Sequence, residues 1–133
     1  MSEWEDRVAI NDVLARYADG VNRRDAGLWG SSWDEDGEWL LFGPDTIKGR
    51  GAIVDAWVEA MTGFPFVVMT ASQGAVEIDG DRATGTSYTA EVARLPDGTE
   101  IRVTGRYDDA YVKRDGRWGF AKRSFTQLHS HTI

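Results

Sequence analysis

Three Asp-Gly pairs, at 79–80, 97–98 and 115–116, separate four long runs of strand-forming residues in the second half of the chain. Such a pair between alternating runs is a strong hairpin signal, because its residues accept the left-handed backbone that tight turns need. The runs "FVVMTASQGAVEI", "ATGTSYTAEVARL", "TEIRVTGRYDDAYVK" and "WGFAKRSFTQLH" therefore predict an antiparallel meander. Strands this long must bend, and Gly74, Gly85 and Gly105 are the expected places for bulges or kinks.

The first half reads as helical. Ser2 and Glu5 form a capping box that starts a helix at about residue 3. Ile10, Val13, Leu14, Tyr17, Ala18 and Val21 then repeat at helical spacing and carry Tyr17 toward the interior. The stretch "DAGLWGSSWDEDG" predicts a second, shorter helix with Asp25 at its N-cap and Leu28, Trp29 and Trp33 on its buried side. Its two internal glycines weaken it, so packing must hold it. A short strand, "EWLLF", and a third helix, "AIVDAWVEAM", follow, and "GFPF" ends that helix. The fold class expected is α+β: a cone-shaped curved antiparallel sheet with three N-terminal helices covering a pocket. With 133 residues and no linker, repeat or low-complexity segment, the chain reads as one domain, 1–133.

Charge and composition narrow the partners. Fifteen basic against 22 acidic residues give a net charge of −7, a field that repels phosphate backbones and anionic lipid. Nucleic acid and membrane are thereby disfavoured, and a small-molecule ligand is expected. There is no cysteine, so disulfides and cysteine-ligated zinc are excluded. The start "MSEWEDRVAI" lacks the basic and apolar segments of a signal peptide, and no run is long enough to span a bilayer, so a cytoplasmic protein is expected. Six tryptophans are a high number for this length; Trp29, Trp39 and Trp57 either fill the core or line a pocket for a flat, greasy ligand.

The phrases "DEDGEW", "GRGAIVDAW", "EIDGDRA" and "YVKRDGRWGFAKR", in this order of helices and hairpins, resemble the SnoaL-like branch of the superfamily related to nuclear transport factor 2, over roughly residues 5–127. That superfamily includes scytalone dehydratase, hexachlorocyclohexane dehydrochlorinase and ketosteroid isomerase, alongside modules without catalysis. By resemblance to the dehydrochlorinase, where an aspartate-held histidine abstracts a proton and an arginine handles the leaving group, Asp25 matches the aspartate and Arg123 the arginine. The histidine position falls on Met69 and a lysine position on Gly20. A thioether transfers no protons, so a histidine-dependent elimination is not expected. By resemblance to the isomerase, Tyr17 matches the tyrosine that donates to the developing oxyanion. The isomerase's base falls near Leu41, which cannot act, and its second acid near Asp108 or Asp109. The resemblance also implies a homodimer paired through the open sheet face.

Each candidate has a structural alternative. Asp25 is a catalytic acid/base if it reaches the cavity, and otherwise the cap of the second helix. Tyr17 is an oxyanion donor or a core tyrosine with a satisfied hydroxyl. Arg106 and Asp108 share one strand face; if it lines the cone they bind a polar substrate end, and if it faces water they form a surface ion pair. Tyr88 has the same ambiguity, and Met69 joins the greasy wall. His129 and His131 read as frayed tail, with the alternative that a folded-back terminus carries His129 over the mouth as a substitute base. No His/Asp/Glu cluster has metal-ligand spacing, and no nucleotide or phosphate motif is present, so no cofactor is expected. The sequence thus points to a cofactor-independent acid/base enzyme, an isomerase, dehydratase, eliminating lyase or cyclase acting on a small, largely apolar molecule. Tyr17, Asp25, Asp108 and Arg123 carry the chemistry in that expectation. The alternative is a non-catalytic ligand-binding or assembly module of the same fold.

Overall fold

The computed structural model describes residues 2–41 and 44–133. Helix α1 (Glu3–Arg23) is followed by α2 (Ala26–Gly30), β1 (Trp33–Leu40), β2 (Ile47–Lys48) and α3 (Arg50–Met61). Four long strands complete the chain: β3 (Phe66–Asp79), β4 (Arg82–Arg94), β5 (Glu100–Arg114) and β6 (Arg117–Thr132). They lie in one six-stranded sheet in the order β2-β1-β6-β5-β4-β3. Among the described residues, no helix is long and apolar enough to cross a membrane.

The meander forms where the hairpin signals put it. The β5–β6 turn holds Asp115 and Gly116 at φ 53° and 76°, the paired left-handed residues of a two-residue hairpin. Gly80 and Gly98 take positive φ in the other two turns. The sheet bends at register shifts between Gln73 and Val76, opposite Gly85, and between Thr104 and Gly105. At Gly105 a Cβ would collide with the Phe125 ring, so the bend needs a residue without one.

Two expectations change. The sheet is mixed rather than wholly antiparallel, because β1 runs parallel to β6, with Trp39 beside Arg123. The second helix stops at Gly30, and residues 33–37 of the predicted helix belong to β1. Glycines at 27 and 30 leave this helix one turn long, and Trp33 is buried from a strand instead. Phe42, the last residue of "EWLLF", lies outside the described residues.

Helix α1 has the capping box read from the sequence, with Ser2 Oγ accepting from Glu5 N. Asp6 in its first turn accepts from Trp118 Nε1 at 2.8 Å and from Lys113 Nζ at 3.2 Å, fixing that end to β5 and β6. Within a turn of its other end, Gly20 meets α2: a Cβ there would stand 2.5 Å from Trp29 Cβ. That contact sets Trp29 at the centre of the aromatic core. Its ring stacks on Trp57 at 4.7 Å and 10°, and meets Tyr17, Trp39 and Trp33 at 5.3, 5.4 and 5.9 Å.

Substitution of Gly20 by Ala forces this contact apart and is expected to cost about 1–3 kcal/mol in urea unfolding. Gly51→Ala, in a helix position with open space around the added methyl, should be neutral or stabilising by up to ~1 kcal/mol. Equal effects at the two sites would refute the close approach as the reason for glycine at 20.

Candidate active site

Where α1, α3 and β1 lean over the concave face of β3, β4 and β5, a cavity of about 110 Å³ remains. Val21, Trp39, Trp57, Met61, Val67 and Met69 give it an apolar wall. Three polar side chains reach it: Tyr17 from α1, Tyr107 from β5 and Glu91 from β4.

The elements are fastened around this cavity through backbone groups. Asn22, near the end of α1, donates from Nδ2 to Met69 O at 2.8 Å and accepts from Met69 N at 2.7 Å. One amide side chain thus occupies the free edge of β3, as a neighbouring strand would, and the Met69 side chain turns inward and is buried. Arg24, left-handed at the C-cap of α1, donates to Met61 O at 3.3 Å and also to Phe64 O. It ties α1 to the residues that follow α3 at the cavity wall.

Tyr17 and Tyr107 are buried and hydrogen-bonded hydroxyl to hydroxyl at 3.2 Å. Burial, with the neighbouring phenol, pushes Tyr17 well above its ordinary pKa, and burial likewise raises Tyr107. Both phenols therefore stay protonated near neutrality, as donors rather than bases. Behind them lies Arg123, with no solvent exposure. Its guanidinium carbon sits 3.6 Å from the Tyr107 ring centre, 4.1 Å from Phe120 and 4.4 Å from Tyr17. Arg123 Nε donates to Asp109 Oδ1 at 2.7 Å, and its NH2 group donates to Ser87 Oγ at 2.6 Å. Ser87 and Tyr111 hydroxyls also donate to Asp109, at 2.8 and 3.3 Å. Burial alone would favour loss of the Arg123 proton, but Asp109 together with the Tyr17 and Tyr107 hydroxyls outweighs it and raises the guanidinium pKa.

Glu91 differs from every other carboxylate of the cone. Its neighbour across the sheet is Met69, and the alternate residues Ser87, Thr89 and Ala93 of β4 are buried on the same side. Among the described residues its carboxylate has no hydrogen-bond or ion-pair partner, and burial raises its pKa above the ordinary carboxylate range. Its charge is felt at both phenols, raising each. The sequence alone did not single it out. The signal available was parity, since Glu91 alternates with small residues suited to a concave face.

The residues nominated from sequence separate into three places. Tyr17, Trp39, Trp57 and Met69 line the cavity. Arg123 and Trp29 are wholly buried beside it, Arg123 behind the tyrosines and Trp29 under Trp57, so neither lines the wall. The remaining four lie outside. Asp25 is exposed and accepts from Leu28 N at 3.0 Å as the cap of α2, which corrects its assignment to the cavity. Arg106 and Asp108 pair at 3.6 Å on the outer sheet face, and Tyr88 is 42% exposed there. Strand parity explains the correction: Tyr107, Asp109 and Tyr111 take the inner face of β5, leaving residues 106 and 108 outside. His129 and His131 belong to the last, outer stretch of β6, paired with Thr104 and Arg102, and do not fold back over the mouth. Among the described residues, no group of three His, Asp or Glu is placed to hold a metal ion.

A curved sheet closed by helices over a small, mostly apolar cavity with a few polar groups defines the cone-shaped class of the nuclear transport factor 2-like superfamily. Within it the chain belongs to the SnoaL-like domain family, whose sequence profile matches residues 2–124. It is 29% identical over 121 residues to gamma-hexachlorocyclohexane dehydrochlorinase of Sphingobium indicum, covering 89% of this chain and 78% of that protein. The hexachlorocyclohexane dehydrochlorinase LinA-type3 of Novosphingobium barchaimii superposes with a TM-score of 0.85 at 25% identity, over 98% of this chain and 91% of that one. A ketosteroid isomerase-like protein of Erwinia carotovora shares the fold at a TM-score of 0.81 and 17% identity, over 92% and 95% of the two chains.

Removing one member of a buried ion pair strands the other. Arg123→Met and Asp109→Leu should each cost about 3–5 kcal/mol, and the double variant much less than their sum. Additive losses in a double-mutant unfolding cycle would show that the two side chains are not coupled.

Proposed function

We propose that this protein is a cofactor-independent acid/base enzyme that acts on a small, largely apolar molecule, with Glu91 as its proton acceptor. The observation that carries this reading is the carboxylate of Glu91, without a partner among the described residues, in an apolar cavity that also holds the Tyr17–Tyr107 hydroxyl pair. A carboxylate freed of capping and ion-pair duties, with its pKa raised by burial, is matched to proton transfer closer to neutrality. Met69 occupies the place where the resembling enzymes carry a histidine, and Glu91 stands directly across from it on the next strand.

In this reading Glu91 takes a proton from a carbon beside an electron-withdrawing group. The electron pair of the broken C–H bond moves toward the substrate oxygen, where the hydroxyl pair donates a hydrogen bond to the growing charge. The proton then returns from Glu91 to a different carbon, giving an isomer, or the electron pair expels a leaving group, giving an alkene. Arg123 supports the step from behind. Its positive charge acts against the burial that raises both phenols, which makes them stronger donors. The dehydrochlorinase relative supports the eliminating form of this chemistry. We assign the protein to the cytoplasm and to a homodimer joined through the outer sheet face, where Phe66, Val68 and Tyr88 are exposed. Sedimentation at twice the chain mass, lost on Val68→Glu, checks the dimer, and an unshifted monomer refutes it.

Glu91→Gln should lower turnover at least about 100-fold, whereas Asp25→Asn, which keeps a capping oxygen, should leave it unchanged. The kcat/KM profile of the natural protein should rise with pH through a value above the usual carboxylate range. Stability supplies a second readout with a fixed sign. A carboxyl whose pKa is raised on folding stabilises the fold below its unfolded pKa, and that contribution is lost as pH rises through the folded value. Glu91→Gln should therefore be at least as stable as the natural protein at pH 7–8. Full activity in Glu91→Gln would overturn the assignment, and ligand binding without product in the natural protein would favour the non-catalytic module.

A further inference from the structure

A carboxylate on a sheet is kept from water largely by the side chains opposite it. For Glu91 these are Met69 on β3 and Val103 on β5. The two strands are not equally secure. Strand β5 is held between β4 and β6, whereas β3 is a free edge of the sheet. Met69 is nevertheless only 4% exposed, and it lines the cavity beside Glu91.

Asn22 is what secures that edge. Residues of an antiparallel strand turn their N–H and C=O together, alternately toward a neighbouring strand and away from it. Met69 N donates to Asn22 Oδ1 at 2.7 Å, and Met69 O accepts from Asn22 Nδ2 at 2.8 Å. Both groups therefore point away from β4. Met69 and Glu91 thus form a non-hydrogen-bonded pair, the kind whose side chains stand closest, at about 4.5 Å between Cα atoms. A flexible thioether packs over its neighbour and offers it no proton, so it covers the carboxylate without competing for its chemistry. The other titratable groups lining the cavity, among the described residues, are Tyr17 from α1 and Tyr107 from β5. Strands β1 and β3 and helix α3 contribute none, and Arg123 of β6 lies behind the two rings, paired with Asp109. Loss of water, rather than a neighbouring charge, is what sets Glu91 apart.

We propose that Met69, clamped through its backbone by Asn22, is the positioning residue of Glu91: its side chain shields the carboxylate from water and so governs the pH at which Glu91 ionises. This rests on the acid/base reading above only for the statement that Glu91 accepts a proton in a reaction. The shielding itself follows from the pairing of β3 with β4 and from the two hydrogen bonds of the clamp. Asn22 touches neither the cavity nor Glu91, and acts on both through one residue of the edge strand.

The ionisation of Glu91 can be read directly in the full chain labelled with 13C at the glutamate carboxyl carbons, its signal being the one lost in Glu91→Gln. Met69→Ala uncovers the carboxylate and should move its titration midpoint back toward the ordinary carboxylate value. Met69→Leu, a swap of similar volume, should keep the midpoint close to that of the natural protein. Asn22→Ala should lower the midpoint in the same direction as Met69→Ala and speed hydrogen exchange at the Met69 amide. The two Met69 variants decide the proposal whether or not Asn22→Ala folds. A midpoint unmoved in Met69→Ala, or one that falls as far in Met69→Leu, overturns it; a folded Asn22→Ala with an unmoved midpoint strikes out the clamp. Activity is read separately, as exchange of the α-hydrogens of nitroethane, a compact carbon acid, for deuterium in heavy water. Its pH profile should shift in Met69→Ala and hold in Met69→Leu. A carboxyl midpoint that moves while exchange is absent or keeps its profile removes Glu91 as proton acceptor and leaves the shielding standing. Exchange that is lost in Glu91→Gln, with a midpoint indifferent to Met69→Ala, does the reverse.

Discussion

A guanidinium sealed from water is the constraint around which this fold is arranged. Arg123 has to be given a carboxylate, further hydrogen bonds and a polarisable surround, and four elements supply them: Asp109 from β5, Ser87 from β4, and aromatic faces from α1, β5 and β6. Desolvating such a group costs several kcal/mol, offset here by Asp109 and Ser87, while its second terminal nitrogen has no partner among the described residues. The helix that supplies Tyr17 and the strands that supply Asp109 and Ser87 are thereby held in one register. The cavity inherits that order, since two of its three polar side chains are the rings stacked on the guanidinium.

Polar and apolar work are divided by depth. The charged pair lies beneath the tyrosines, without solvent exposure, while the polar groups at the cavity itself are, among the described residues, neutral donors and one carboxylate without a partner. A deep charge can bias the phenols without binding anything itself. Glu91 is tuned by burial alone, with no second acid holding it. In the proposed reading the proton acceptor stands on β4 rather than β3, and Met69 serves as wall.

The features with local signatures were legible in the sequence. Asp-Gly pairs gave the hairpins, Ser2 and Glu5 the start of α1, and bulge glycines the bends of the sheet. Features that depend on tertiary choice were not. In "GRYDDAYV" the residues of both parities include charges, so alternation cannot say whether Asp108 or Asp109 faces inward; the packing of α1 against Tyr107 decides it. Glu91 looked like any solvent-facing strand glutamate because curvature, not composition, buries its side. Asp25 was placed as a cap, and its position outside the cavity lining followed only from where α2 docks. The parallel pairing of β1 with β6 has no local signature at all, being a contact between segments some 80 positions apart.

The tight seat of Trp29 on Gly20 has a consequence for how this scaffold can change. In the dehydrochlorinase comparison a lysine falls at position 20, but here any side chain would run into the backbone of α2. Installing a histidine at 69 would consequently not recreate the constellation of that comparison, because its companion has no room until α2 itself is relocated. A side chain at position 20 thus calls for a rearrangement of helices rather than a single substitution.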